Sequence, residues 1–167
     1  MALNNLRDLY VDELKDLYNA EQQLLKALPK MAKAASSAEL RNTFNDHLQV
    51  TQEQVRRLDK IFQQLGTTPR GKKCKGMEGI VEESKDFLSE RADPTVKDAG
   101  LISEAQRVEH YEMAGYGTVR TYARMLGFND AANALQQTLK EEEQADHRLT
   151  QIAENIINPE AKTREQP

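Results

Sequence analysis

Four stretches of this chain repeat apolar residues at intervals of three and four, and each repeat is broken near its middle by polar or acidic residues. In the first stretch Leu14, Leu17, Glu21, Leu24, Leu28 and Met31 share one side of a helix. The second carries Leu40, Phe44, His47, Thr51, Gln54, Leu58, Ile61 and Leu65. The third runs through Leu101 or Ile102, Ala105, Val108, Glu112, Tyr116, Val119, Ala123 and Leu126. The fourth runs through Leu135, Leu139, Glu142, Asp146, Leu149, Ala153 and Ile156. Helical periodicity sustained over four segments predicts an all-α chain.

The breaks between the stripes set the order of the helices. Ser36 and Glu39 have capping-box spacing for the second helix, which stops at GTTPRG, residues 66–71. A shorter helix is expected from Met77 to about Glu90, and Asp93-Pro94 reads as the cap and first turn of the next long one. Gly127 reads as its C-cap, Asn129 as the following N-cap, and Asn158-Pro159 as the end of the last helix. Two hairpins joined by a longer connection predict an antiparallel four-helix bundle, with the additional short helix in the crossover. The bundle is expected over residues 1–158, with a flexible tail over 159–167. A weak internal repeat agrees: RRLDKIFQQL at 56–65 resembles HRLTQIAENI at 147–156, and Glu21 and Glu112 are separated by the same 91 positions. Two similar hairpins facing each other would set those glutamates across the core.

Composition narrows the function. The 167 residues suit one domain, and 38% hydrophobic with 30% charged residues at net charge −4 describes a mildly acidic soluble protein. Nucleic-acid binding needs a concentrated basic surface, and the one basic cluster, RGKKCK at 70–75, is short and reads as a solvated loop. No apolar run is long enough for a membrane span, and the N-terminus has no secretory pattern. Cys74 is the single cysteine, without an identifiable base beside it, so a reducing cytoplasm is expected and a nucleophilic role is not. Neither a hydrolase triad nor a glycine-rich phosphate loop emerges.

The midpoints of the stripes carry the chemistry. Antiparallel neighbours would bring Glu21, His47, Thr51, Gln54, Glu109, Glu112 and the acidic group Glu142, Glu143 and Asp146 to one depth. Ionised carboxylates in an apolar core are very costly unless paired or metal-bound, and several together repel. A divalent cation removes both penalties. Glu109 and Glu112 project from nearly the same side of their helix, as do Glu143 and Asp146. The latter pair has the spacing of the Glu-x-x-His element used in helical dimetal sites, with aspartate in the histidine position. Glu142 fits the apolar seam better, whereas Glu143 fits the motif better; Glu141 reads as surface charge. His47 is either a ligand or a buried hydrogen-bonding histidine, and His110 and His147 are expected to be exposed. Tyr18, one turn from Glu21, reads as packing. Oxygen-rich ligation suits iron or manganese better than zinc or copper. The competing reading is a polar core held by water or ion pairs, with no metal.

YNAEQQLLKALPKMAKAA at 18–35, FNDHLQVTQEQVRRL around His47, CKGMEGIVEE at 74–83, VEHYEMAGYGT at 108–118 and TLKEEEQADHRLT at 138–150 together resemble the YciE/YciF-like branch of the ferritin-like superfamily. The resemblance spans about residues 3–155. It implies a ferritin-like bundle, a homodimer, a di-iron centre with two ions per chain, and a part in bacterial stress responses. Paired metals could in addition hold oxygen or peroxide between them, which makes oxygen or peroxide handling the first functional expectation. No physiological protein partner is implied. Glu21, Glu109, Glu112, Glu143 and Asp146 match the family's candidate ligands, with His47 beside them. Relatives often read H-L-x-E-T where this chain has His47-Leu48-Gln49-Val50-Thr51, and Val50 cannot bind metal. That departure supports the alternative of a non-enzymatic structural or interaction protein with weak or no metal binding.

Overall fold

A computed structural model describes residues 3–163, which are helical with no strand among them. Helix α1 spans Leu6–Ala34, α2 Ala38–Leu65, α3 Lys75–Ser89, α4 Pro94–Met125 and α5 Asn129–Ile152. A π-helical turn, Ala153–Ile157, leads into a short α6, Asn158–Lys162. The expected stop at Asn158-Pro159 therefore does not occur. Pro159 directly follows the π-helical turn, and Ile157 and Asn158 before it are both in helical conformation, so the chain passes through the proline without leaving the helix. Residues 159–162, assigned to the tail, are helical, and 164–167 lie outside the described residues. None of the described helices is long and apolar enough to cross a membrane.

Helix α1 packs along α2 and α4 along α5, while α1 meets α4 and α2 meets α5. Helix α3, in the connection between the two hairpins, lies against α1 and α4. Its close seat on α4 requires Gly100, because a Cβ there would overlap the Phe87 ring. Gly66 (φ 67°) ends α2 in the left-handed conformation that a side chain disfavours. The cap of α4 is Asp93, as expected, accepting the Thr95 N–H at 2.9 Å. At the other end Leu126 is the C-cap, with Gly127 (φ 78°) one residue beyond it. Phe128 rather than Asn129 precedes α5 and makes no side-chain cap.

The cap of α2 differs from expectation in an informative way. Ser37, not Ser36, accepts the Leu40 N–H. Ser36 instead donates its hydroxyl to Asp98 Oδ2 at 2.6 Å, and Asp98 also accepts the Ser36 and Ser37 backbone amides at 2.9 and 2.7 Å. Asp98 is 1% exposed, so this α4 carboxylate, buried and fully met by donors, fastens the α1–α2 turn to the second hairpin.

Two apolar clusters fill the interior. One gathers Leu24, Leu28, Phe44, Met77, Leu101 and Ile152. The other gathers Leu14, Leu58, Phe62, Tyr116, Val119 and Leu135. Cys74 belongs to the first: it is buried, its Sγ caps α3 through the Met77 N–H at 3.4 Å, and it lies 2.9 Å from the Tyr111 hydroxyl. Along each long helix, the residues between the two clusters are the polar ones.

Candidate metal centre

The four stripes deliver their polar residues to one layer because each helix is long enough to carry an apolar cluster at either end. Helix α1 contributes Glu21; α2 contributes His47, Thr51 and Gln54; α4 contributes Glu109 and Glu112; α5 contributes Glu142. Glu21, Glu112 and Glu142 are wholly buried, Glu109 is 2% exposed and His47 7%.

Within the layer, one ligand atom from each of His47, Glu109, Glu112 and Glu142 lies within 4.8 Å of every other. Opposed ligands on a transition-metal ion stand about 4.2 Å apart, so a small inward movement would complete a coordination shell. His47 Nε2 lies 3.4 Å from Glu109 Oε1 and 3.7 Å from Glu142 Oε2, close enough to share an ion. Among the buried atoms without a hydrogen-bond partner in the protein are both oxygens of Glu112, Glu109 Oε2, Glu142 Oε2, Glu21 Oε2 and His47 Nε2. Leaving so many polar atoms unmet in one place is costly, and the donor set of carboxylates with one imidazole is that of iron and manganese sites. The residues fit such an ion.

Two neutral donors trim the layer on one side. The Tyr116 hydroxyl donates to Glu21 Oε1, and Gln54 Nε2 donates to Glu142 Oε1. Thr51 turns its hydroxyl back to the His47 carbonyl at 2.9 Å. Burial, and then the charge of Glu142, push the Glu21 carboxyl up to about 8, against the opposing bond from Tyr116. Burial also raises Glu109 and Glu112 well above the usual carboxylate range, helped by the charge of Glu142 on the first and of Glu21 on the second. Without a cation the layer therefore holds protons.

The acidic triplet on α5 is oriented differently from one of its sequence readings. Glu143, assigned to the ligand set by its spacing to Asp146, is exposed. One residue turns a helix by about 100°, and the seam through Leu135, Leu139 and Leu149 turns Glu142 inward instead. Glu141, read as surface charge, is half-buried; it binds Arg57 (Nη2 to Oε1, 2.7 Å) and receives Gln54 Nε2 at 3.2 Å. Asp146 stands at the margin, accepting Gln106 Nε2 at 3.0 Å and facing exposed His110 at 3.4 Å. His147 is exposed as well. Tyr18 packs edge-on to Phe62 with ring centroids 6.0 Å apart, and Tyr116 is the phenol that reaches Glu21. Tyr116 follows Glu112 by one turn on the same stripe, a signal the sequence carried without showing its partner.

Fold and layer together define an all-helical protein with a buried histidine–carboxylate cluster. Residues 5–162 match the family described as a domain of unknown function, DUF892, and the chain belongs to that YciF-like family. It is 39% identical over 165 residues to Protein YciF of Escherichia coli K12, covering 98% of this chain and 99% of that one. The crystal structure of that E. coli stress protein superposes with a TM-score of 0.90, covering 93% of this chain and 99% of the other. YcfI from Rhodopseudomonas palustris is 41% identical with a TM-score of 0.85, covering 88% and 94%.

Proposed function

We propose that this protein binds divalent iron, with manganese as the alternative, in a ferritin-like antiparallel four-helix bundle, and that it handles oxygen or peroxide in a bacterial stress response. The observation that carries the reading is Glu112, which is fully buried with both oxygens unpartnered and lies beside His47, Glu109 and Glu142. These four residues would hold the tighter ion. Glu21, with Oε2 free, borders a second and weaker position, for a capacity of two ions per chain. Iron held there would supply redox electrons to dioxygen or a peroxide. The chain's own groups do the rest. Tyr116 and Gln54 orient Glu21 and Glu142, the two apolar clusters exclude bulk water, and the raised carboxyls surrender protons as the ion binds. A homodimer and a cytoplasmic location belong to the same reading, and the likeness to the E. coli stress protein supports its stress-response part.

The alternative, a structural protein with an inert polar layer, draws support from the same Tyr116 and Gln54 bonds, which satisfy one oxygen each of Glu21 and Glu142. Neither bond reaches Glu112. Anaerobic Fe(II) titration of metal-free protein, followed by oxygen, separates the two readings. Iron uptake toward two ions per chain and a new oxidised-iron absorption band are expected, and Glu112→Gln with Glu142→Gln should abolish both while helix content is kept. Folded protein that takes up no iron, or a double variant that takes up as much as wild type, would favour the structural reading.

A further inference from the structure

A buried ion site needs a way in, and the exposure of its members is uneven. Three of the five acidic or imidazole side chains are wholly covered, whereas His47 retains 7% exposure. That exposure opens onto a groove of about 250 Å³ between α2 and α5. Its walls are two matched helical stripes, Thr43, Asp46, His47 and Val50 on one side and Glu141, Gln144, Ala145 and Arg148 on the other. Val50 and Ala145, one on each wall, are the two apolar residues among them. Asp46 and Arg148 close one end as an exposed ion pair at 3.0 Å, and Glu141 closes the other with Arg57. The groove of similar size between α1 and α4, which includes Leu17, Tyr111, Ala114 and Gly115, is lined by no member of the cluster.

We propose that divalent cations reach the His47–Glu109–Glu112–Glu142 cluster through this α2–α5 groove, with His47 as the inner door and Val50 and Ala145 as the waist that admits them. His47 suits the part because no hydrogen bond in the protein holds its Nε2. Its ring can turn toward the groove, take an ion, and return it to the carboxylates at the cost only of its 3.4 and 3.7 Å approaches to Glu109 and Glu142. The wholly buried carboxylates have no comparable opening. This route rests on the metal-binding reading above and specifies which residues govern the rate rather than the affinity.

The test is stopped-flow binding of Co(II), followed by its visible absorption, to the metal-free full chain. Val50→Phe and, on the opposite wall, Ala145→Phe fill the groove without replacing a ligand. Each should slow association at least tenfold while the equilibrium affinity stays within about threefold, because release slows equally. Ala114→Phe, in the α1–α4 groove, should bind at the wild-type rate. A metal-independent readout runs in parallel: diethylpyrocarbonate labelling of His47, read by peptide mass, should slow severalfold in both groove variants and remain unchanged in Ala114→Phe. Wild-type rates in both groove variants, or equal slowing in Ala114→Phe, would overturn the route while leaving the metal site standing. Failure of the wild-type chain to bind Co(II) would overturn both.

Discussion

Asp98 and Glu112 are both carboxylates on α4, about four turns apart and essentially sealed from solvent, yet their surroundings are opposite. Asp98 meets two backbone amides and a hydroxyl, each at ordinary hydrogen-bond distance. Glu112 meets no backbone amide, hydroxyl or side-chain amide on either oxygen, and its neighbours are other carboxyl groups and an imidazole. Asp98 shows how this fold buries an acid for structural ends: it supplies the donors. The layer around Glu112 supplies acceptors instead, an arrangement suited to a cation. A second contrast lies within the layer. Thr51 on α2 stands 91 positions before Glu142 on α5, the same offset that relates Glu21 to Glu112, so the first hairpin sets a hydroxyl where the second sets a carboxylate. The hairpins thus share a frame and differ in charge, which makes the second the main source of ligands.

The largest expected effect is that of the metal itself. At a free Mn(II) concentration about 1,000 times its dissociation constant, binding should stabilise the fold by about 4 kcal/mol and raise Tm by about 8–16 °C. A chelator should reverse the shift. Asp98→Asn should keep the increment and Glu112→Gln should lose it, as differential scanning calorimetry would show; an undiminished increment in Glu112→Gln would erase the distinction between the two acids.

Removing each acid from the metal-free protein should give effects of opposite sign. Asp98→Ala strands the donors of Ser36 and Ser37 and should cost about 2–4 kcal/mol in urea unfolding. Glu112→Gln at pH 8 sets a permanent amide donor among the carboxyls, where the acid must keep a proton to stay neutral, and should stabilise the chain by about 1 kcal/mol. A destabilised Glu112→Gln would place both acids in the structural class.

The pH dependence follows from Glu21. Its carboxyl is held near 8 in the folded chain against an ordinary value of 4.5, so between those limits the folded state keeps a proton that the unfolded state has lost. That stabilisation is complete below pH 4.5 and lost as pH rises through 8. Metal-free protein should therefore lose several degrees of Tm from pH 5 to pH 8, and Glu21→Gln should flatten the slope. The increment from metal should run the other way, growing with pH as the competing protons leave.

The smallest effect concerns the α5 triplet. Glu143→Gln, at an exposed site, should change stability and metal affinity by less than about 0.5 kcal/mol, whereas Glu142→Gln should lose at least tenfold in metal affinity. Paired isothermal titrations of the two variants measure the difference, and equal losses would mean that α5 turns in solution to present both.

Much of this was legible from periodicity alone. The stripes through Leu14, Phe44, Val108 and Leu135 predicted the long helices, the burial of Glu21, His47 and Glu112 followed from their places on those stripes, and that of Glu109 from its spacing of three to Glu112. Glu142 was legible too, since it shares a seam with Leu135, Leu139 and Leu149; the Glu143-x-x-Asp146 spacing competed with that seam, and packing decided for the seam. Contacts between distant segments left no such trace. Nothing in the order of residues showed that Tyr116 would meet Glu21, that Gln54 would reach Glu142, or that Asp98 would take up Ser36 and leave the capping of α2 to Ser37. Those depend on how hairpins register against one another, which helical period does not encode. The end of α5 differs for a local reason: a π-helical turn over Ala153–Ile157 carries the helix past Pro159, and helical period does not announce such a turn.

The central claim is that the layer around Glu112 is built for a cation, and crystals of the full chain soaked in Mn(II) test it most directly. Data collected on the high-energy side of the manganese absorption edge should show an anomalous peak at about 2.0–2.3 Å from His47 Nε2 and from oxygens of Glu109, Glu112 and Glu142. A layer without that peak, with ordered waters bonded to both Glu112 oxygens while manganese occupies surface carboxylates in the same crystal, would contradict it.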